Sequence, residues 1–226
     1  MVSEDERFEL RVKFTKKGGL KYISHLDLAR TVRSAFLRAR LPVWYTLGFN
    51  PHPKFNFSLP LSVGTSSECE FMDIMLTEKL DGSKVTEMLN AAFPPDLRVT
   101  DAYYPTTKFS QIGWAEYELD IISPYASDEL AGRILDALDG DINIVKKSKS
   151  GMKPMNIAPY VRNASCTFAD GKLIFRVLLS CGENTFVNPK YLIDHLEEAL
   201  PTEFADADYT TCRTQVYYDD GVTVFT

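Results

Sequence analysis

Two similar segments decide the fold, MLNAAFPPDL at Met88–Leu97 and HLEEALPTEF at His195–Phe204. Each leads from a predicted helix into the last predicted strand of its half of the chain. Internal similarity across a span of about a hundred residues indicates that one supersecondary unit has been duplicated. The two halves of the chain are therefore expected to contain the same series of elements.

The first half has the predicted order β-α-β-β-α-β. Its first strand, Phe8–Phe14, alternates apolar and charged residues, and Ser24 is placed to cap a helix that runs to about Ala39, with Asp27 three residues after the cap. The remaining elements are strands at Phe55–Leu59 and Glu70–Thr77, a helix at Ser83–Ala92 and a strand at Leu97–Tyr104.

The second half repeats this pattern. Its predicted elements are strands at Trp114–Ile122 and Ile142–Lys147, a helix at Ser127–Leu138, a hairpin around Asp170-Gly171, a helix from Asn188-Pro189 to Leu200 and a final strand at Thr210–Tyr218. The sequence thus predicts an α+β protein of two tandem ferredoxin-like (βαββαβ) modules with antiparallel sheets. The modules are residues 1–110 and 111–226, with the boundary near Thr107–Gly113.

Composition favours a cytoplasmic globular protein. The chain has 226 residues, 45% of them hydrophobic, and no apolar run of the ~18 residues that a membrane span needs. The N-terminus lacks the features of a secretory signal. The four cysteines, Cys69, Cys166, Cys181 and Cys212, show neither zinc nor iron–sulfur spacing. We interpret them as reduced thiols and expect no metal or cofactor.

Charge is unevenly distributed along the chain. Residues 1–54 contain 11 Lys/Arg against 5 Asp/Glu, whereas the remainder contains 14 against 26. Such an asymmetry indicates that a face of the first module meets an anionic partner. The alternative is that the basic residues merely solvate one helix and one strand edge.

The first predicted helix has a basic flank. Arg30, Arg33 and Arg40 fall together on a helical wheel, beside an apolar arc that contains Leu28 and Val32. His25 lies inside the apolar arc at the first turn. It is either a packed, hydrogen-bonded core residue or an imidazole that transfers protons or contacts phosphate.

The segment GFNPHPKFNFSLPLSVG at Gly48–Gly64 is predicted to display side chains from a stiff loop. Pro51 and Pro53 favour an extended backbone around His52 and Lys54. Asn50, Lys54 and Asn56 supply donors for phosphate or base edges, and Tyr45, Phe49, Phe55 and Phe57 supply stacking surface. Basic residues interleaved with aromatic ones are typical of single-stranded RNA recognition. The alternative is a structural turn with His52 simply exposed.

A second basic run, KKSKSGMKP, spans Lys146–Pro154. Its lysines, including Lys146, Lys147 and Lys153, are either solvated or part of a groove shared with the first module. We predict the second arrangement, in which Arg30, Arg33, Lys54 and this run form one positive surface. The acidic residues Asp27, Glu68, Glu70 and Asp73 have no spacing that demands a metal, and the catalytic motifs of common enzyme families are absent from the sequence.

Three segments resemble the radical-SAM-linked family, bacterial domain-of-unknown-function family 2344: KYISHLDLARTVRSAFLRA at 21–39, LGFNPHPKFNFSLPLSVG at 47–64 and ECEFMDIML at 68–76. MNIAPYV at 155–161 also fits, so the resemblance covers most of the chain. The family's members occur fused to, or encoded beside, radical-SAM proteins. The resemblance therefore implies an accessory or substrate-presenting role, with the radical chemistry left to a separate radical-SAM partner.

A weaker, architectural resemblance is to the CRISPR-repeat RNA endonucleases, which implies His25 as a general acid or base on RNA. Their glycine-rich C-terminal loop is not matched here, and fold analogy does not carry function. The sequence thus supports three hypotheses. The first is a non-catalytic module that binds or presents tRNA or ribosomal RNA; the second is an RNA-processing enzyme using His25 or His52; the third is a protein-interaction scaffold.

Overall fold

The chain folds into two compact units, Met1–Phe109 together with Thr226 and Ser110–Phe225. The computed structural model describes residues 7–148, 151–182 and 185–226, without the side chains of residues 147 and 148. Both units are mixed α+β with antiparallel strand pairing.

The elements of the first unit follow the order that the sequence predicts. They are β1 (Phe8–Lys16), α1 (His25–Arg38), β2 (Phe55–Phe57), β3 (Thr65–Leu76), α2 (Gly82–Ala92) and β4 (Leu97–Tyr103). The strands lie in the order β4-β1-β3-β2, which makes β2 an edge of this sheet. β3 begins five residues before the predicted Glu70, with the polar run TSS, which has no apolar alternation; Ser67 of this run pairs with Lys16 of β1.

Capping and apolar spacing together account for α1. The Ser24 side chain accepts a hydrogen bond from the backbone N–H of Asp27, as predicted. The buried residues of the helix are Leu28, Val32, Ala35 and Phe36, and they pack in one core with Leu10, Val12, Phe14, Met72 and Ile74. Each large apolar side chain buried here stabilises the unit by about 1.5–3 kcal/mol.

A buried ion pair lies on the sheet face opposite to the helices. Arg11 is completely buried, and its Nε and Nη2 donate to the two carboxylate oxygens of Asp73 at 2.8 and 2.9 Å. Its remaining donors reach the carbonyl and hydroxyl oxygens of Thr107, and the ring of Phe109 covers the guanidinium at 4.3 Å. The two-pronged pairing compensates the cost of burying both charges.

The second unit has the same arrangement of sheet strands as the first. Its elements are β5 (Ile112–Ile122), α3 (Asp128–Asp136), β6 (Asn143–Ser148), β7 (Gly151–Asn156), β8 (Val161–Ala169), β9 (Lys172–Ser180), α4 (Pro189–Ala199), α5 (Pro201–Phe204) and β10 (Asp208–Tyr218). The sheet order is β10-β5-β9-β8. The strand predicted at Ile142–Lys147 is present as β6, but it pairs with β7 in a separate hairpin and leaves β8 as the second strand of the sheet.

Candidate functional site

The basic flank of α1 lies beside β2. Arg30 and Arg33 are both exposed, and the guanidinium carbon of Arg33 is 5.8 Å from the ring centroid of Phe55. Arg30 forms an exposed ion pair with Asp27, with 2.8 Å between Nη1 and Oδ1. Hydrogen bonds from the Ser24 hydroxyl and from Arg30 lower the pKa of Asp27, so this carboxylate stays charged and partly offsets Arg30. Arg33 is therefore more available than Arg30 to bind an anionic ligand.

The helix and edge strand belong to a segment that lacks acidic residues. Residues 28–67 contain Arg30, Arg33, Arg38, Arg40 and Lys54 but no Asp or Glu. All five of these cationic residues are exposed. Two other cations of the N-terminal part, Arg11 and Lys16, are buried and add nothing to the surface. The positive character predicted from the charge count therefore depends strongly on this acid-free segment.

The register of β2 determines which groups it offers at the sheet edge. The N–H of Ser58 donates to the carbonyl of Phe71, and the N–H of Met75 donates to the carbonyl of Lys54. The Lys54 carbonyl and the Ser58 N–H, on either side of the Asn56–Asp73 pair, thus turn toward β3, and the alternation along the strand turns the backbone groups of Phe55 and Phe57 outward. Because side chains alternate, Lys54 and Asn56 point to the face opposite to Phe55. Arg33 and Lys54 consequently lie on two sides of one edge.

The loop Leu47–Pro51 precedes this edge and is closed at its base by Thr46 and His52. The N–H of Thr46 donates to the His52 carbonyl at 2.9 Å, and the N–H of His52 donates to Thr46 Oγ1 at 3.2 Å. Lys54 N–H donates to the Trp44 carbonyl one step further from the tip. The predicted stiff loop thus has cross-loop hydrogen bonds in addition to its prolines. Sequence reasoning missed Thr46, whose role no local pattern signals.

The His52 ring takes part in this closure while remaining exposed. Its Nδ1 lies 3.1 Å from Thr46 Oγ1 and 3.2 Å from the carbonyl oxygen of Asn50. The Asn50 carbonyl can only accept from a protonated Nδ1, whereas the Thr46 hydroxyl can donate to Nδ1 or accept from it, so both tautomers of the ring satisfy a contact here. In either tautomer Nε2 takes no part in these two contacts. Asn50 and Lys54 are exposed as predicted.

The aromatic residues of the segment do not serve alike as stacking surface. Phe55 packs edge-on against Phe36 at 5.3 Å between centroids, and Phe57 packs against Phe14 at 6.1 Å. The expectation that Phe55 and Phe57 offer free rings is therefore wrong, because β2 turns them toward the core under α1. Phe49, by contrast, is fully exposed at the loop tip, at 111% of the reference accessibility.

His25 is exposed, so the interpretation of this residue as a packed core histidine is wrong. It is the first residue of α1, three residues before the buried Leu28, and its ring meets the Phe57 ring edge-on at 5.1 Å. The imidazole stands at the rim of a small cavity that Ser24, Lys16 and Glu70 also line.

Two charged groups line that cavity: Lys16, which sequence reasoning did not select, and Glu70, which it considered only as one of four acidic residues without metal-site spacing. Its volume is about 10 Å³, the room of about one water molecule. Lys16 and Glu70 in its lining are only 2% and 3% exposed. The signal was present in the sequence, since Lys16 continues the buried positions Leu10, Val12 and Phe14, and Glu70 precedes Met72 and Ile74 on the same strand face. A charge at a core position of an alternating strand indicates a specific polar environment.

The second basic run forms the β6–β7 hairpin. Lys146 lies directly opposite Lys153, and Lys147 opposite Met152. Lys146 is half-buried and its Nζ donates to the Phe186 carbonyl at 3.3 Å, whereas Lys153 is exposed. The side chain of Lys147, together with Lys149 and Ser150, lies outside the described residues. That this hairpin shares one surface with Arg30, Arg33 and Lys54 stays a prediction.

In the described ranges no three His, Cys, Asp or Glu side chains are grouped to hold a metal ion. His195 is half-buried, with Nε2 2.8 Å from the carbonyl oxygen of Ala137. Among the residues described, no helix is long and apolar enough to cross a membrane.

Residues 9–189 match the family model described as "Uncharacterized protein conserved in bacteria (DUF2344)". No curated protein matches the chain. A solved Cbf5-Nop10-Gar1 complex is similar over 92% of this chain with a TM-score of 0.49 and 11% identity, and the chain spans only 48% of the matched chain there. An unknown protein from Galdieria sulphuraria is similar over 91% of this chain and 99% of its own, with a TM-score of 0.27 and 12% identity. At these scores neither structure defines the fold.

Proposed function

This chain belongs to the bacterial DUF2344 family, and we propose that it is a non-catalytic module that binds RNA and presents it to a partner enzyme. The observation that carries the proposal is the acid-free segment 28–67, which folds into α1, the Leu47–Pro51 loop and β2 with Arg30, Arg33 and Lys54 exposed. Exposed cations with few neighbouring carboxylates attract phosphates, and the carboxylate at the start of α1, Asp27, is paired with Arg30.

The geometry of the β2 edge suits a strand of nucleic acid. Arg33 and Lys54 contact phosphates from two sides of the edge, and the outward backbone groups of Phe55 and Phe57 offer further hydrogen bonds. Asn50 and the Nε2 atom of His52 supply polar groups at the loop end of the edge. Lys146, Lys147 and Lys153 extend the phosphate-binding surface in this proposal.

The partner that we propose is a radical-SAM protein on a separate chain, acting on tRNA or ribosomal RNA. The support is the resemblance of the SHLD and GFNPHPK segments to the radical-SAM-linked family. The cysteine spacing of this chain does not match a cluster-binding motif, so the partner supplies the cluster.

We further propose that both units are ferredoxin-like modules derived from one duplicated unit. Two features support this. The first unit has the element order β-α-β-β-α-β, and in each sheet the last strand lies beside the first and the third beside the second. In the second unit the β6–β7 hairpin is then an insertion before the second strand of the module.

Two other functions each have an observation in their favour. His25 at the rim of the cavity that contains Lys16 and Glu70 favours an RNA-processing enzyme, since an exposed imidazole beside buried charges is suited to proton transfer. The outward backbone groups of β2 favour a protein-interaction scaffold, in which an extended peptide adds a strand to the edge.

Salt dependence tests the RNA-binding proposal. We expect a fluorescent single-stranded RNA of mixed sequence to bind with an affinity that falls steeply between about 50 and 200 mM salt, because phosphate contacts release counterions. Arg33→Glu should weaken all RNA sequences about equally and flatten the salt slope by about one or more. Lys84→Glu makes the same charge change on α2, away from the β2 edge, and serves as the control. No RNA binding at low salt, or equal effects of the two variants, contradicts the proposal.

A further inference from the structure

Phe49 occupies a position that protein folding alone does not explain. Its ring is fully exposed at the tip of a loop whose base is fixed by Thr46 and His52. Leu47, two residues earlier in the same loop, is 77% exposed. An isolated surface apolar residue needs no explanation, but two on one short hydrogen-bonded loop offer a preformed apolar contact.

The surroundings of Phe49 indicate what this contact meets. The loop lies in the middle of segment 28–67, which has five exposed cations and no carboxylate, and Asn50, His52 and Lys54 follow immediately. A free aromatic ring followed closely in the chain by polar and cationic side chains is complementary to a nucleotide, which has a phosphate and an aromatic base. An apolar pocket on a protein partner would complement the Phe49 ring but would supply no negative charge to complement the cations.

The other aromatic side chains of this segment are less suited than Phe49 to stack on a nucleotide base. Phe55 and Phe57 have their edges engaged with Phe36, Phe14 and His25, and the Trp44 ring is covered by the Arg7 guanidinium at 4.1 Å. Tyr45 is only 39% exposed to solvent. Phe49 is the aromatic side chain of this segment with both ring faces open to solvent.

We propose that Phe49 is a stacking platform for one unpaired base, so that the β2-edge surface takes single-stranded RNA or an unpaired loop in preference to a duplex. This inference rests on the proposed RNA-binding function and names its substrate class. Bases inside a duplex are stacked on each other and cannot stack on Phe49, whereas an unpaired base lies on the ring while Lys54 and Arg33 hold the flanking phosphates.

The test compares a single-stranded 12-nucleotide RNA with the blunt duplex formed by the same strand and its complement, at one salt concentration. We expect Phe49→Ala to weaken single-strand binding about 5- to 150-fold, the range for one stacked base, and to change duplex binding less than about twofold. Phe49→Tyr should retain the affinity, and Phe49→Leu, which is apolar but has no aromatic face, should lose nearly as much as Phe49→Ala. A tryptophan introduced by Phe49→Trp should be quenched by the single strand.

The outcomes separate the two proposals. If the wild type binds both RNAs and Phe49→Ala changes neither affinity, the stacking inference is wrong and the RNA-binding function stands. If Phe49→Leu binds as the wild type does, the ring makes a general apolar contact and the stacking inference is again overturned. If the wild type binds no RNA but Phe49→Ala prevents association with a radical-SAM protein, the tip is a protein contact and both proposals fail.

Discussion

Lys146 and Lys153 face each other directly across the β6–β7 hairpin. Like charges at directly opposed positions destabilise an antiparallel strand pair. A bound anion would relieve the repulsion between these two lysines, so the arrangement favours anion binding at the hairpin. Lys153→Glu should therefore raise the free energy of unfolding by about 0.2–1 kcal/mol and at the same time weaken RNA binding. Thermal melting and RNA titration on one preparation check both signs. An RNA affinity equal to that of the wild type would remove the hairpin from the binding surface.

Closure of the Leu47–Pro51 loop allows His52 to be assigned a role by comparison with Thr46. We expect His52→Ala and Thr46→Val each to cost about 0.5–1.5 kcal/mol of stability, because each removes hydrogen bonds across the loop base. Only His52→Ala also removes Nε2. A larger loss of RNA affinity in His52→Ala than in Thr46→Val indicates direct contact with the ligand, and equal losses indicate that His52 acts by holding the loop.

His25→Ala should leave the free energy of unfolding within about 0.5 kcal/mol of the wild type, since the ring is exposed. In the non-catalytic proposal its RNA affinity also changes little. RNA incubated with wild type and variant and resolved on a denaturing gel supplies the decisive comparison. Cleavage by the wild type that disappears in a normally folded His25→Ala protein would place the RNA-processing function first.

Asp73→Ala should destabilise the first unit strongly, by about 3–5 kcal/mol, because it leaves the completely buried Arg11 guanidinium without its carboxylate. Asp27→Ala is a matched control, since it removes the partner of the exposed Arg30, where water screens the ion pair, and should change stability far less than Asp73→Ala does. Urea unfolding measures both. Similar values for the two variants would show that Arg11 finds other compensation.

Thiol reactivity tests the burial of Cys181. Burial raises the pKa of this thiol to about 12 and that of Cys166 to about 11. Both thiols are therefore almost entirely protonated at pH 8, where a free cysteine of pKa about 8.5 is partly thiolate. We expect Cys181 in the folded protein to react with an aromatic disulfide reagent far more slowly than in urea, with Cys181→Ser identifying its share. Equal rates in the two conditions would contradict its burial.

Sequence alternation predicts most of the strands because half-buried strands carry a period of two. It misses β7, since GMKPMN has a glycine and a proline and no apolar alternation, and the strand is defined by its pairing with β6. The first residues of β3 are missed for a similar reason. Both β7 and the start of β3 depend on pairing with another strand, which a short stretch of sequence does not show.

Prediction of the candidate site is divided in the same way. The exposure of His52, Lys54 and Asn50 follows from prolines and polar residues close together in sequence. The wheel position of His25 suggests burial, but a helical wheel records direction around the axis and not how much of the first turn is covered, and His25 is exposed. The hydrogen bonds between Thr46 and His52 form because the loop brings the two residues together in space. No sequence pattern marks this approach, so the bonds could not be predicted.

The Thr46–His52 closure also bears on the speed of recognition. A loop that is already closed does not fold during the encounter, so association proceeds at the rate at which the charged surface collects its ligand. A variant with an open loop binds only during the fraction of time in which the loop happens to be closed, and its observed association rate falls by that fraction. The cross-loop hydrogen bonds thus determine which fraction of encounters with the ligand leads to a complex, and through it the association rate.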